Sequence, residues 1–164
     1  MKPRTDKRPW LVAAAGLLLL ATAGCARPPA AAPYLSAAPS PGMARIWFYR
    51  DMNPNEILAT PLIRLNGAVA GVSEPGGAFY RDVSPGRYHI SVDSYYQDPH
   101  NDADVALAPG AEAFARVLPL DGFVQGGGGS VGGGYRRPNY VVWLYPPELA
   151  RPLIAGSYFT AGGS

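Results

Sequence analysis

Hydrophobic and polar residues alternate most regularly along Arg87-Tyr88-His89-Ile90-Ser91-Val92-Asp93. Tyr88, Ile90 and Val92 share one face, and Arg87, His89, Ser91 and Asp93 the other. This period of two belongs to a strand with one buried face. Arg45-Ile46-Trp47-Phe48-Tyr49-Arg50 is rich in aromatic and β-branched residues and predicts the first strand. Pro61 to Asn66 predicts the next, and Asn66-Gly67 a two-residue hairpin turn, because both central positions of a type I′ turn need positive φ. Ala68 to Ser73 returns from that turn, and Pro75-Gly76-Gly77 ends it. Ala78 to Val83 follows, then a turn at Ser84-Pro85-Gly86.

Beyond a polar loop over 96–104, Val105-Ala106-Leu107, Pro109-Gly110 and Glu112 to Leu118 predict a further hairpin. Tyr140 to Tyr145 is apolar on both faces, as in a strand covered by a second layer. One helix is predicted, from Pro147 to Arg151, with Pro152 cutting it short. The tail from Gly156 carries an apolar pair, Tyr158-Phe159. Seven or eight short strands and one helix predict an all-β fold, a small antiparallel β-sandwich spanning 43–159. Gly126 to Gly134, GGGGSVGGG, is read as a loose linker between the last strands, and 160–164 as a disordered tail.

The amino terminus has a different pattern. Met1 to Pro9 is basic, and Trp10 to Gly24 is an apolar run of 15 residues ending at Cys25. As a helix it would span about 22 Å, short of a ~30 Å hydrocarbon core. A basic stretch, a short apolar run and closing small residues form a secretory signal, here 1–24. Ala26 to Gly42 holds five prolines in 17 residues with no period. With Cys25 it is expected to form an extended, polyproline-like tether, holding the domain up to about 50 Å from its anchor.

Charge and composition narrow the chemistry. The chain has 164 residues, 14 Lys and Arg, and 12 Asp and Glu. Without 1–24, ten arginines face eleven acids. That remainder has no basic face for nucleic acid. One cysteine excludes an intrachain disulfide or a multi-cysteine metal site. Asp98, His100, Asn101, Asp102 and Asp104 are ligand-type side chains, but they lack the glycine and final glutamate of a calcium loop and read as turn formers. Ser91, His89 and Asp93 lie in series on one strand face, about 7 Å apart, too far for a catalytic relay. The glycine tract lacks the Lys-Ser/Thr ending of a phosphate loop. No catalytic residue, metal site or cofactor is assigned.

Leu20-Ala21-Thr22-Ala23-Gly24-Cys25 resembles the lipid-modification signal of bacterial lipoproteins, with Thr22 where a large aliphatic residue is preferred. The resemblance implies cleavage between Gly24 and Cys25, fatty acylation (palmitate-type chains) of Cys25, and residence in the cell envelope. Ala26, in place of an aspartate, points to the outer membrane facing the periplasm or the exterior. ARIWFYR, LNG, AFYRDVSPGRYHISVD and LAPGAEAFARV together resemble a domain of unknown function found in many bacterial lipoproteins. The Pro85–Val92 portion is similar to PEGA-type and transthyretin-like sandwiches. The lipoprotein-domain family is largely without an assigned activity, so no catalytic residue carries over. With no catalytic site in the sequence, a non-catalytic interaction or structural module is expected, with membrane lipid and an envelope protein or glycan as partners. Trp47, Tyr49, Trp143 and Tyr145 form the candidate binding patch, the alternative being that the helix or tail covers them. An exposed Trp/Tyr face would suit carbohydrate or peptidoglycan.

Overall fold

The computed structural model describes residues 28–53, 59–95, 98–120, 123–124, 135–136 and 139–161. Within these limits the protein is an all-β sandwich of two sheets. The strands are β1 (Ala44–Tyr49), β2 (Leu62–Leu65), β3 (Ala68–Val72), β4 (Gly77–Val83), β5 (Gly86–Val92), β6 (Ala103–Leu107), β7 (Glu112–Leu120), β8 (Phe123–Val124), β9 (Tyr135–Arg136), β10 (Asn139–Leu144) and β11 (Tyr158–Phe159). Helix α1 is Ala32–Leu35 and helix α2 is Pro147–Ala155. One sheet has the order β10-β7-β1-β4-β11, the other β3-β2-β5-β6.

Local turn chemistry sets much of this path. Asn66 and Gly67 have φ of 50° and 83°, as a type I′ turn demands, and join β2 to β3. The Ser84-Pro85 and Pro109-Gly110 turns do something else. Each carries the chain from one sheet to the other, so β6 and β7 are not the hairpin that the sequence predicts. Gly110 donates its N–H to the Met43 carbonyl, and Arg45 donates to Ala111. These bonds start β7 beside the start of β1, and the two strands therefore run parallel. The β11–β4 pairing is also parallel, so the five-stranded sheet is mixed. Phe123↔Arg136 and Asn139↔Leu120 belong to one register, which makes β8 and β9 the outward continuation of the β7–β10 ribbon. The glycine tract, 126–134, lies outside the described residues.

The core between the sheets gathers Ile46 and Phe48 from β1, Phe79 from β4, Ile90 and Val92 from β5, and Val117, Tyr140 and Val142 from β7 and β10. Tyr88 packs at its border, so the alternation of β5 points as predicted. A second cluster lies on the opposite face of the five-stranded sheet. There Trp47, Tyr49, Ala78 and Phe114 are covered by Ala31, Ala150 and Ile154, with Tyr34, Leu35 and Phe159 beside them. Buried on both faces, β1 has no exposed residue in its six positions.

The cover includes a segment expected to extend away from the domain. The described part of the tether, 28–42, instead lies on the sheet. Ala31 donates to the Ser157 carbonyl and Phe159 to that of Pro29. The Tyr34 ring stacks on Phe159 with centroids 3.8 Å apart. Arg45 explains the rest. Its guanidinium, 3% exposed, grips Asp82 through Nε and Nη2 and donates to the Ala37 and Ala38 carbonyls at 2.6 and 3.2 Å. Ser40 donates to the same carboxylate from its backbone N–H and its hydroxyl. A buried guanidinium needs acceptors on every side. The proline-rich backbone supplies two of them without any side-chain pattern.

Two further differences are local. Helix α2 runs through Pro152 rather than stopping before it; the carbonyl left without a donor is that of Glu148, an exposed residue that solvent reaches. The tail is ordered at its start. Thr160 is buried and donates to the Ala78 carbonyl, and Arg81 reaches that of Ala161. Residues 162–164 lie outside the described residues.

Two stability measurements check this architecture. Ile90→Ala, in the core between the sheets, is expected to cost about 2–5 kcal/mol in denaturant unfolding. Asp82→Asn is expected to cost about 3 kcal/mol, since it strips a buried guanidinium of its counter-charge. Its hydrogen bond from Arg45 holds the Asp82 carboxyl far below the usual carboxylate range. The stabilisation is therefore complete above the unfolded-state value of about 4 and declines as pH falls below it. Asp82→Asn should flatten that acid limb of the stability profile.

Candidate functional site

The four aromatic positions singled out in the sequence do not form one patch. Trp47 and Tyr49 lie on the outer face of β1, as their alternation requires, but α1, α2 and β11 cover that face. Trp47 is fully buried and its indole N–H points to Glu112 at 3.4 Å. Glu112 also pairs with Arg151 of α2, which binds the Leu35 carbonyl and lies over the Phe114 ring. One glutamate thereby holds strand, helix and amino-terminal segment together. Tyr49 is 2% exposed, and burial pushes its phenol well above the ordinary value. Both rings are structural, because the cover removes them from any partner.

Trp143 and Tyr145 are placed differently. Tyr145 is half-buried, packs edge-on to Tyr49 at 6.4 Å, and accepts a hydrogen bond from Arg116 at 2.9 Å. Arg116 in turn pairs with Asp51. Trp143 is 54% exposed. It sits at the end of β10, the outermost strand of its sheet, where α2 begins. Around it opens a groove of about 610 Å³ lined by Val142, Leu144, Pro146, Leu149 and, from β6, Ala103 and Asp104. Leu144 and Leu149 are themselves exposed by 40% and 55%.

Helix α2 extends this apolar surface. Ala150 and Ile154 are buried beneath it, and Leu149 and Leu153, offset by one residue, stand on its outer side. Pro152 is exposed between them. Leu153 shares a second hollow with Met52, Gly76 and Gly156. Two i, i+4 apolar pairs displaced by one position, Leu149/Leu153 and Ala150/Ile154, leave a helix apolar on more than its packed side. That signal stands in the sequence PELARPLIA, yet these leucines were not among the candidate residues.

The polar candidates resolve into ordinary turn and strand contacts. His100 donates its backbone N–H to Asp98, and its Nδ1 lies 2.8 Å from the same carboxylate. His89 projects between Asp104 at 3.0 Å and Asp102 at 3.2 Å. Asp93 is engaged by Arg64, and so stands apart from His89 as the strand spacing indicates. Among the described residues no group of three or more His, Cys, Asp or Glu is placed to hold a metal ion. Among them, too, no helix is long and apolar enough to cross a membrane. Gly24 and Cys25 lie outside the described residues. No family model and no curated protein matches the chain.

His89 provides a solution check of this corner. The hydrogen bond to Asp104, with added attraction from Asp102, raises its pKa above the ordinary value. The stabilisation is fully present below the unfolded-state value of about 6.5 and is lost as pH rises through the higher folded value. Titration of the imidazole by NMR should show this upward displacement, and Asp104→Asn should reduce it.

Proposed function

We propose that the chain is a lipid-anchored protein of the cell envelope, held in the outer membrane by an acylated Cys25, whose sandwich serves as a non-catalytic interaction or structural module. The observation that carries this reading is the ending Ala23-Gly24-Cys25 on a basic-then-apolar leader. Small residues let a peptidase reach the backbone, and a thiol accepts a diacylglycerol group through a stable thioether. A second feature agrees with it. Exposed apolar side chains, Trp143, Leu144 and Leu149, gather around one groove of the folded domain, which suits contact with a partner. A carbohydrate- or peptidoglycan-binding role ranks second, since two of the four rings it would use, Trp47 and Tyr49, are covered.

Metabolic labelling with a palmitate analogue, followed by membrane fractionation, tests the anchor. The wild-type chain is expected to carry the label and to sediment with the outer membrane, and Cys25→Ala to lose both. An unlabelled, freely diffusing wild-type protein would overturn the reading.

A further inference from the structure

The docked amino-terminal segment limits how far the domain can stand from its anchor. Pro28 already lies against the domain, in a hollow it shares with Ala155, Gly156 and Tyr158 just past the end of α2. Only three residue steps separate Cys25 from Pro28. A fully extended chain covers at most about 3.6 Å per residue, so the two α-carbons lie within about 11 Å of each other. The spacer of about 50 Å expected from composition therefore shrinks to a short link, because the remainder of the proline-rich segment is spent in packing.

The surface next to that link is the apolar one. Gly156 borders both the hollow that holds Pro28 and the hollow that holds Leu153 and Met52. One helical turn before Leu153, Leu149 borders the groove of Trp143 and Leu144. Leu153 and Leu149 on the outer side of α2 thus join two apolar hollows, one shared with Met52 and one with Leu144 and Trp143, and these five side chains are exposed by between 37% and 63%. The charges that border it are acidic: Asp104 lines the Trp143 groove, Asp51 lines the Leu153 hollow where it pairs with Arg116, and Glu148 stands exposed on α2, while Arg151 is turned to Glu112.

We infer that this strip is a membrane-contact surface: the domain lies with the outer side of α2 on the lipid into which the chains on Cys25 insert. The inference rests on the lipid-anchor reading and deepens it. Exposed leucines beside a bilayer leave water by entering the headgroup–acyl boundary, and an indole prefers that depth. The contact is hydrophobic rather than electrostatic, so it needs no anionic lipid and resists salt.

Tryptophan emission reads this placement directly. The chain has three tryptophans, and with Trp10→Phe the buried Trp47 and the exposed Trp143 remain. The full chain, expressed where processing occurs, is reconstituted into phosphatidylcholine vesicles with and without brominated acyl chains. The mass of the same sample scores acylation of Cys25. Brominated lipid is expected to quench part of the emission, at low and high salt alike, and Trp143→Phe to remove the quenched part. Leu149→Glu with Leu153→Glu should abolish the quenching while leaving acylation and the thermal midpoint unchanged.

An acylated protein whose emission is the same in both vesicles overturns the inference and leaves the anchor standing. An unacylated chain overturns the anchor and this placement together. A concentration-dependent dimer in detergent, abolished by the two glutamates and accompanied by unquenched emission in vesicles, would give the strip to a second copy and overturn the membrane contact. The wild-type comparison decides between these outcomes even where the double variant fails to fold.

Discussion

Strand β1 is buried on both faces, and the other layers are arranged to satisfy that condition. Ile46 and Phe48 point into the space between the sheets, while Trp47 and Tyr49 point away from it. A two-sheet sandwich buries one face of each sheet. The outward aromatics therefore need a third layer, and a strand with large rings on both sides cannot remain at the surface. The carboxy-terminal helix, the last strand and the amino-terminal segment together supply it. Phe114 on neighbouring β7 and Ala78 on β4 widen the floor that this layer covers.

Arg45 couples the cover to the sheet electrostatically. Its cross-strand partner in register is Asp82, and its ring contact is Tyr80, 3.8 Å from guanidinium carbon to centroid. The fork of donors closes on one carboxylate and two backbone carbonyls, a geometry that an ammonium would not reproduce. Glu112 plays the reciprocal part for α2 through Arg151 and Trp47. These two links lie side by side where β1 and β7 begin, since Arg45 and Glu112 are register partners, and they fix the amino-terminal segment relative to helix α2. That fixed relation places Pro28 beside Gly156, just past the end of α2, and Gly156 in turn borders the hollow of Leu153.

The same cover sorts the aromatic residues by role. Trp47 and Trp143 are alike as residues and both alternate away from the inter-sheet core, yet one is sealed and the other exposed. Trp47 lies in the middle of the five-stranded sheet, under the helix. Trp143 lies on the outermost strand, beyond the edge of that cover. Position within the sheet, not residue type, separates a buried ring from an exposed one.

Period and turn chemistry were legible in the sequence because each is a local property. The alternation of β5 and the positive φ at Asn66 and Gly67 depend on neighbours a few residues away. So do the all-β class and the short helix before the tail. Sheet membership was not legible. A Pro-Gly turn looks the same whether it closes a hairpin or crosses between sheets, and it is the long-range bonds from Gly110 to Met43 and from Arg45 to Ala111 that start β7 parallel to β1. The docking of 28–42 was hidden for a related reason. It depends on backbone carbonyls offered to Arg45 and on one stacked ring, Tyr34, neither of which leaves a periodic trace. The sequence by itself determined most of the strands, the turn at Asn66-Gly67 and the identity of the apolar residues. Which of those residues meet one another, and which are left facing outward around α2, follows from long-range packing that only the tertiary structure decided.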